Sequence, residues 1–550
     1  MKSMKTLRQF FSLALVAMLV ATLMAACGDN TATTAPATTA AAAATTAAGT
    51  ATTAAATTVA AAATTAAAAA TTAASATTAA SATTAAGTAT TAAATTAAAG
   101  AATTAAAAPA PTATPYPTVA PAAGSVKITF WHGFSGFNAA ILQQMVNKFN
   151  SSQAKYYVEA ITNSNYDDTI AKFRTSLAGG ALPNVVQIYD IGTQAMIDTK
   201  KIIPVQDFIN KENLQSLVQD LEPAVASYYT VNNTLYSMPL NSSSPVMYYD
   251  KNAFKEVGLD PEKPPTTYSE VLAAAKKLVK KDASGKITRS GMDFSLYGWI
   301  LEQQMAEQGA LLVEPNNGRT GTRANKLVFN SEAGQNWLNF LKSVQDAGVG
   351  RSLGRHSGTT ANTTVAANFT KGEAAMTFES IATLRNYITS AANSGGKVDV
   401  GVGYLPKPDN AKGGVIIGGA SLWITTQGTP DQQQGSWEFV KFTAQPENQS
   451  FFASNTGYYP TRKASYDLPD MKEALVKYPQ FKVAIDQLRA TPASPATAGA
   501  VFGSFSGSRQ NVEAAMDQFL TGKVPTAKQA LDEVVKKEND RLEEYNSTVK

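Results

Sequence analysis

Residues 31 to 124 consist almost entirely of alanine and threonine, and this tract limits what the chain can fold into. It holds no charged residue and only a few Gly, Ser and Pro. Paired β-branched threonines oppose the helical preference of alanine, and no apolar periodicity offers a packing face. We therefore predict a disordered tether over residues 28–124, stiffened by prolines between 109 and 121 and spanning about 50–60 Å root mean square. Its threonines could carry O-glycans, or the tract could be an unmodified spacer.

The first 27 residues have the pattern of an export signal. Three basic residues within the first eight positions precede an apolar stretch, Phe10 to Met24, which is too short to span a bilayer comfortably. The run Leu23-Met24-Ala25-Ala26-Cys27 resembles the bacterial lipobox, in which the cysteine carries a diacylglyceryl group. We predict a lipoprotein signal peptide over residues 1–27 and a lipidated Cys27 that anchors the chain on the extracytoplasmic side of the cell membrane. A secretory signal cut elsewhere and a retained anchor helix are the alternatives.

Composition excludes several classes of site in the remaining residues, 125–550. Cys27 is the only cysteine of the chain, so disulfides within it and thiolate metal sites are excluded. The two histidines, His132 and His356, do not favour a zinc site, and we expect no metal and no cofactor. Basic and acidic residues nearly balance, 45 against 41 in the whole chain, so charge predicts no nucleic-acid partner.

From Ser125 onward the sequence predicts an α/β fold. Apolar residues alternate over Val126–Phe130, recur at helical spacing over Ile141–Phe149, and alternate again over Tyr156–Ile161, which is a β-α-β pattern. A helix over Tyr166–Leu177 and a strand over Asn184–Ile188 follow. Repeated units of this kind predict a mostly parallel sheet covered on both faces.

About 425 residues exceed a single core, so we predict two lobes. Lobe 1 is placed at about 125–238 and 375–428, and lobe 2 at about 239–374 and 429–550. The later elements predicted from the sequence are a capping box at Thr267 before a helix to Lys281, helices over Gln335–Val344, Gln510–Leu520 and Thr526–Tyr545, and strands over Lys371–Phe378 and Val415–Thr425. Ligands of open α/β sheets bind beyond the carboxyl ends of strands, so Asp190 and the loops near Ser243, Ser380 and Gly419 are candidate site elements.

Several short runs resemble one protein family over the whole of residues 126–550. The runs are Trp131-His132, 187–193 (QIYDIGT), 241–249 (NSSSPVMYY), 253–261 (AFKEVGLDP), 416–423 (IIGGASLW) and 456–460 (TGYYP). They resemble the glycerol-3-phosphate-binding members of the family 1 extracellular solute-binding proteins of bacterial ABC importers. The resemblance implies a two-lobed periplasmic-binding-protein fold with crossover hinges and a ligand cleft. It also implies a monomeric, non-enzymatic protein whose partners are a small-molecule ligand and membrane permease subunits.

The same resemblance implies which residues contact the ligand. They are Tyr166, Asp190, Ser243, Ser380, Gly419, Tyr458 and Arg509, with Trp299 lining the cleft. The planar donor fork of Arg509 suits phosphate oxygens, and hydroxyl and backbone N–H donors would complete the phosphate shell. Because a carboxylate repels phosphate, we expect Asp190 at the far end of the ligand, accepting hydrogen bonds from glycerol hydroxyls.

Two positions differ from the best-known form of the family. Asp190 stands where that form has Glu, which keeps the charge and shortens the reach. Leu296 stands where it has Trp, which removes an aromatic wall. We therefore expect free volume beside Tyr297 and Trp299 that favours a diester such as glycerophosphocholine over glycerol 3-phosphate.

Structural explanations exist for the same residues. Asp190 could cap the following helix, and Arg509 could pair with Glu513 at i,i+4. Tyr166 and Tyr458 could be half-buried packing residues, and the run at 241–244 could be an ordinary turn. His132 follows a strand, and as a lone histidine it favours a structural role.

Three functions compete with capture of a glycerol phosphate or a glycerophosphodiester. A di- or oligosaccharide receptor of an ABC importer would show stacked aromatic side chains and no anion shell. A tethered secreted hydrolase lacks support, since the chain has no G-x-S-x-G, no H-E-x-x-H and no cluster of His and Asp for two metals. An adhesin presented on a long Ala/Thr stalk is the third alternative.

Overall fold

The structure is a computed structural model that describes residues 117–319 and 321–549. The predicted signal peptide, the lipidation of Cys27 and all but the last few residues of the predicted tether lie outside this range. Within the two described ranges, no helix combines the length and the apolar character that crossing a membrane requires.

The strands of the described chain are β1 Val126–His132, β2 Tyr156–Thr162, β3 Val185–Tyr189, β4 Ile202–Ile203, β5 Thr230–Val231, β6 Thr234–Leu235, β7 Met238–Ser243, β8 Pro245–Asp250, β9 Lys280–Lys281, β10 Ile287–Arg289, β11 Met292–Leu296, β12 Val313–Glu314, β13 Lys326–Leu327, β14 Gly350–Arg355, β15 Met376–Ser380, β16 Val400–Tyr404 and β17 Gly418–Thr425.

The α-helices are α1 Gly136–Ser152, α2 Tyr166–Gly179, α3 Thr193–Asp198, α4 Val205–Lys211, α5 Gln215–Gln219, α6 Pro223–Tyr229, α7 Lys251–Glu256, α8 Tyr268–Leu278, α9 Gly298–Glu307, α10 Glu332–Asp346, α11 Ala361–Thr370, α12 Leu384–Asn393, α13 Pro430–Thr443, α14 Pro446–Asn455, α15 Pro469–Lys477, α16 Gln480–Ala490, α17 Phe505–Leu520 and α18 Ala527–Thr548. Short 3₁₀ turns follow β3 at Asp190–Gly192 and β15 at Ile381–Thr383.

The larger sheet has six strands in the order β2-β1-β3-β17-β4, with β7 also paired to β17. Strands β1, β2 and β3 are parallel, as the β-α-β pattern predicts. Strand β17 runs antiparallel to β3, β4 and β7, so the prediction of a mostly parallel sheet holds only for the first three strands. Strand β17 enters from a distant part of the chain and not through a helical crossover, so the parallel direction is not imposed on it.

The second sheet is antiparallel, with the order β15-β8-β16. The chain passes from the first sheet to the second within a single residue, Ser244, which lies between β7 and β8. Because β15 and β16 both pair with β8, residues 376–380 and 400–404 share a sheet with residues 245–250. This pairing corrects the predicted boundary that placed the two segments in different lobes; the other lobe limits stay predictions.

The core contains large aromatic side chains between the first sheet and its helices. Phe439 of α13 contacts Phe130 of β1 and Phe149 of α1, with both ring centroids at 5.3 Å. His132 is buried beside Phe130, and burial lowers its pKa to about 4. The Nδ1 atom of His132 accepts a hydrogen bond from the backbone N–H of Phe134, as expected for a structural histidine.

Most predicted elements exist with shifted ends. The capping box at Thr267 is present, and α8 ends at Leu278, where the prediction continued to Lys281. The strand predicted over Lys371–Phe378 begins only at Met376, because helix α11 continues to Thr370 and a turn follows. Apolar residues near a helix end and at a strand start form one run, so the pattern alone does not separate them.

Candidate functional site

All eight residues predicted to form the ligand site lie around one cavity of about 190 Å³. These residues are Tyr166, Asp190, Ser243, Trp299, Ser380, Gly419, Tyr458 and Arg509. The cavity lies where both sheets end, because Asp190 follows β3, Ser243 ends β7 and Ser380 ends β15. Six further residues complete the wall: Asn138, Tyr189, Tyr297, Ala382, Thr383 and Gly418.

Asp190 begins the 3₁₀ turn that follows β3, and it is only 4% exposed. One carboxylate oxygen accepts a hydrogen bond from the backbone N–H of Ile191 at 2.9 Å, and its carbonyl oxygen accepts one from the Thr193 hydroxyl at 2.7 Å. Burial raises the pKa of Asp190 to about 6, although Arg509 opposes the shift. Asp190 therefore stabilises the turn and also faces the cavity, but it does not cap the following helix, whose N-cap residue is Gly192.

Arg509 belongs to a buried ion cluster in the wall of the cavity. Its Nε and Nη2 atoms donate to the two carboxylate oxygens of Glu302, both at 2.7 Å. Its Nη2 atom lies 3.8 Å from a carboxylate oxygen of Asp190. The expectation that Asp190 and Arg509 occupy opposite ends of the cleft is therefore wrong, because helix α17 places Arg509 against the turn after β3.

The predicted alternative partner of Arg509, Glu513, is occupied elsewhere. Its carboxylate accepts hydrogen bonds from the backbone N–H of Gly298 at 3.1 Å and from the backbone N–H of Ser357 at 2.8 Å. Gly298 has no room for a side chain, since a Cβ atom there would lie 2.6 Å from Cγ of Arg509. The start of α9 is thus held directly against α17, which brings Glu302 within reach of Arg509.

A chain of buried polar groups positions the two tyrosines. The side-chain oxygen of Gln187 accepts from the backbone N–H of Gly133, and its Nε2 atom donates to Asn241 at 3.1 Å. Asn241 in turn donates to the hydroxyl of Tyr166 at 3.1 Å, and this hydroxyl lies 3.4 Å from that of Tyr458. Gln187 and Asn241 belong to the runs that carry the family resemblance, so those runs include residues that orient the cavity wall.

Two glycines let the backbone of β17 form part of the wall. Gly419 has a φ of +124°, and a Cβ atom there would lie 2.1 Å from the carbonyl oxygen of Asn241. A Cβ atom at Gly418 would lie 2.5 Å from the indole of Trp299. A side chain at either position would displace the wall, so both positions require glycine.

Ser380 lies at the start of the 3₁₀ turn after β15. Its side-chain oxygen accepts from the backbone N–H of Ala382 at 3.2 Å, and its own N–H donates to the buried Glu379 carboxylate at 2.7 Å. Burial raises the pKa of Glu379 to about 7. A carboxyl group that titrates near neutral pH therefore lies next to the cavity.

Aromatic rings form the wall near Arg509. Tyr297 stacks on His356 with ring centroids 3.6 Å apart, and it lies at 5.6 Å from Trp299. Leu296 is buried and is not among the described residues that line the cavity. The expectation that Leu296 opens free volume in the wall is therefore not supported, because Tyr297 occupies that face.

Glu302 and Glu379 are the functional candidates that sequence reasoning missed. Glu302 follows Trp299 by three residues on α9, which places both on one helix face, and Glu379 directly precedes Ser380. These spacings were available in the sequence, but the partner of Glu302 is 207 positions away. Among the described residues, no group of three or more His, Cys, Asp or Glu is arranged to hold a metal ion.

Comparison with known proteins identifies the family. Residues 144–482 match the family described as bacterial extracellular solute-binding proteins. The chain is 33% identical over 429 residues to the sn-glycerol-3-phosphate-binding periplasmic protein UgpB of Escherichia coli K12, an alignment covering 77% of this chain and 94% of the relative. The corresponding protein of Yersinia enterocolitica is 32% identical over 440 residues, covering 78% of this chain and 95% of the relative.

Solved structures share the fold at lower identity. UgpB from Mycobacterium tuberculosis in complex with glycerophosphocholine has a TM-score of 0.63 at 21% identity, covering 77% of this chain and 100% of that chain. The sugar-binding protein MalE from Xanthomonas citri has a TM-score of 0.61 at 19% identity, covering 77% of this chain and 99% of that chain. These matches confirm the predicted α/β, two-lobed periplasmic-binding-protein fold. Since the family match covers more than half of the chain and the curated relatives are aligned over nearly their full length, this chain belongs to the bacterial extracellular solute-binding proteins, which are not enzymes.

Proposed function

We propose that this protein captures glycerol 3-phosphate or a glycerophosphodiester such as glycerophosphocholine outside the cytoplasm and delivers it to the permease of an ABC importer. The observation that carries the proposal is the convergence of all eight resemblance-derived residues on one cavity. They come from segments as distant as Tyr166 and Arg509. The relatives named for binding sn-glycerol 3-phosphate, at 33% identity, support the same ligand class.

The cavity offers a complementary set of donors for a phosphate group. Arg509 supplies a guanidinium, Ser243 and Ser380 supply hydroxyls, and Gly419 supplies a backbone N–H at a position where no side chain fits. Asp190 lies beside Arg509 and can accept hydrogen bonds from polyol hydroxyls. The polyol would therefore bind at Asp190, and the phosphate would bind the serines and the free N–H groups of Arg509.

The electrostatics of the cavity favour a diester. Arg509 is already paired with Glu302, and Asp190 adds a second carboxyl group within 3.8 Å of the guanidinium. A phosphate monoester approaches a charge of −2 at neutral pH, whereas a diester carries −1. The lower charge suits a cavity whose cation is already neutralised. The rings of Tyr297 and Trp299 could also contact a quaternary ammonium head group, which is worth about 0.5–2 kcal/mol.

The N-terminal segment of the chain would determine where the ligand is captured. The lipobox-like run ending at Cys27 supports a lipid anchor on the extracytoplasmic face of the cell membrane. The Ala/Thr tract over residues 28–124 would then hold the binding domain at a distance from the membrane while allowing it to reach the permease. We propose that the binding domain acts as a monomer.

A di- or oligosaccharide is the second candidate ligand, and one observation favours it. Five aromatic side chains line the cavity, Tyr166, Tyr189, Tyr297, Trp299 and Tyr458. Tyr166 and Tyr189 stack on each other with centroids 5.3 Å apart. Aromatic walls suit sugar rings, and the pairing of Arg509 with Glu302 weakens the anion shell.

Isothermal titration calorimetry of the purified protein separates the two candidates. The ligands are glycerol 3-phosphate, glycerophosphocholine and maltose, each at the same pH and ionic strength. The proposal predicts saturable binding of at least one phosphate compound, with glycerophosphocholine the tighter of the two, and no binding of maltose. Binding of maltose alone would replace the proposal with the sugar receptor.

A further inference from the structure

Glu302 pairs with Arg509 but does not itself line the cavity, and it is outside the set of residues implied by the family resemblance. It belongs to α9, one turn after Trp299, which lines the cavity wall. The residues Glu302 and Arg509 are 7% and 6% exposed. One short helix therefore supplies both an aromatic wall and the counter-ion of the cavity's only described cation.

The pairing is bidentate, which fixes the guanidinium plane. A guanidinium has five N–H donors, and Glu302 takes the Nε–H and one N–H of Nη2. The Asp190 carboxylate at 3.8 Å is too distant to take another. Among the described residues, none accepts a hydrogen bond from Nη1 of Arg509. Three donors in a fixed direction are thus left for a ligand.

Together with Asp190, the pair also determines the net charge beside a bound ligand. With Glu302 and Asp190 both ionised, the three buried groups carry a net charge of −1. Burial raises the pKa of Asp190 to about 6, so Asp190 is ionised at pH 8. Burial also raises the pKa of Glu302, although its pairing with Arg509 opposes that shift. An arginine in such a cluster attracts a second negative charge on the ligand only weakly.

We propose that Glu302 is a positioning and specificity-determining residue of the ligand site. It orients the free donors of Arg509 towards the cavity, and its charge makes the site prefer a phosphodiester monoanion to a phosphate monoester dianion. The inference rests on the proposed function, because it assumes that a phosphate compound binds beside Arg509.

The test compares two ligands that differ in charge and by a single methyl group. The probes are glycerol 3-phosphate, a dianion at pH 8, and its methyl diester, a monoanion that lacks any cationic head group. Calorimetry is carried out on the full-length protein at pH 8. In the wild type, we expect the methyl diester to bind at least as tightly as the monoester.

Glu302→Gln keeps the side-chain shape and removes the charge. We expect the ratio of monoester to diester affinity to rise by about tenfold or more, since the dianion loses twice the repulsion. Glu302→Asp keeps the charge and shortens the reach, so both affinities should fall while their ratio stays unchanged. A purely structural role of Glu302 would instead lower both affinities of Glu302→Gln by the same factor, and that result would overturn the inference.

A matched control is available on the same helix. Glu307 is also buried and paired with a cation, Lys407 at 3.1 Å, but it does not line the cavity. Glu307→Gln should leave the affinity ratio unchanged, and an equal shift there would contradict a specific role of Glu302. If circular dichroism shows that Glu302→Gln does not fold, the wild-type affinities alone still test the inference. A monoester that binds to the wild type more than tenfold tighter than the methyl diester would overturn it. If neither of these probes nor glycerophosphocholine binds to the wild type, the proposed function is refuted as well.

Discussion

Glu379→Gln should stabilise the protein at pH 8 and change its response to pH. Glu379 is buried next to the cavity, and its carboxylate accepts one hydrogen bond, from the N–H of Ser380 at 2.7 Å. Burial raises its pKa from 4.5 to about 7. Gln retains an acceptor for the same N–H but cannot ionise, so the substitution removes the cost of a buried charge.

The magnitude follows from the pKa shift. Below pH 4.5 the folded and unfolded states both hold the proton, and Glu379 costs no stability. Between pH 4.5 and about 7 the folded state keeps the proton that the unfolded state releases, so the free energy of unfolding falls as the pH rises. At about 1.4 kcal/mol per pKa unit, the full cost above pH 7 is about 3 kcal/mol. Between pH 5 and pH 8, the wild type should therefore lose about 2–3 kcal/mol more than Glu379→Gln.

Urea unfolding of both proteins at pH 5 and pH 8 measures this difference. Glu373→Gln is the matched control, because it removes the same charge from an exposed position on the loop before β15. The control should follow the wild type at both values of pH. If Glu379→Gln and the wild type lose equal stability between pH 5 and pH 8, then the Glu379 carboxyl group is not destabilised by burial, and the reasoning is refuted.

Further predictions concern stability, also measured by urea unfolding, and the tether. Arg509→Leu should cost about 3–5 kcal/mol, because it leaves two buried carboxylates without a cation, and retained stability would contradict the ion cluster. Gly419→Ala should cost about 1–3 kcal/mol through its positive φ and its contact with the carbonyl oxygen of Asn241, and weaken ligand binding; a neutral result would mean that β17 can move. Thr267→Ala should cost about 1 kcal/mol by removing the capping box of α8. Removing residues 1–124 should leave the affinity measured by calorimetry unchanged.

Local patterns were sufficient to predict the first part of the fold. The alternating run that begins at Val126 and the helical spacing from Ile141 gave β1 and α1, and the capping box at Thr267 gave the start of α8. In each case neighbouring residues determine the element, since side-chain periodicity and capping act within one or two turns. The direction of β17 depends on where the chain comes from, so periodicity within Gly418–Thr425 carried no information about it.

For the candidate site, too, only a part could be predicted from the sequence. The resemblance brought the eight residues to one cavity, but it did not give the distances among their charges. Asp190 and Arg509 were expected at opposite ends of the ligand, and they lie 3.8 Å apart because α17 crosses the turn after β3. The partner of Arg509, Glu302, is 207 positions distant, and no spacing rule joins the two. Such contacts depend on how helices pack, which only the folded structure shows.

A crystal structure of the protein grown with glycerophosphocholine tests the central claim most directly. The proposed function predicts that the phosphate lies within hydrogen-bond distance of Ser243, Ser380 and the backbone N–H of Gly419, with a glycerol hydroxyl on Asp190 and a free N–H of Arg509 directed at the ligand. Glycerophosphocholine bound outside this cavity would contradict the account, as would a cavity that stays empty at saturating ligand.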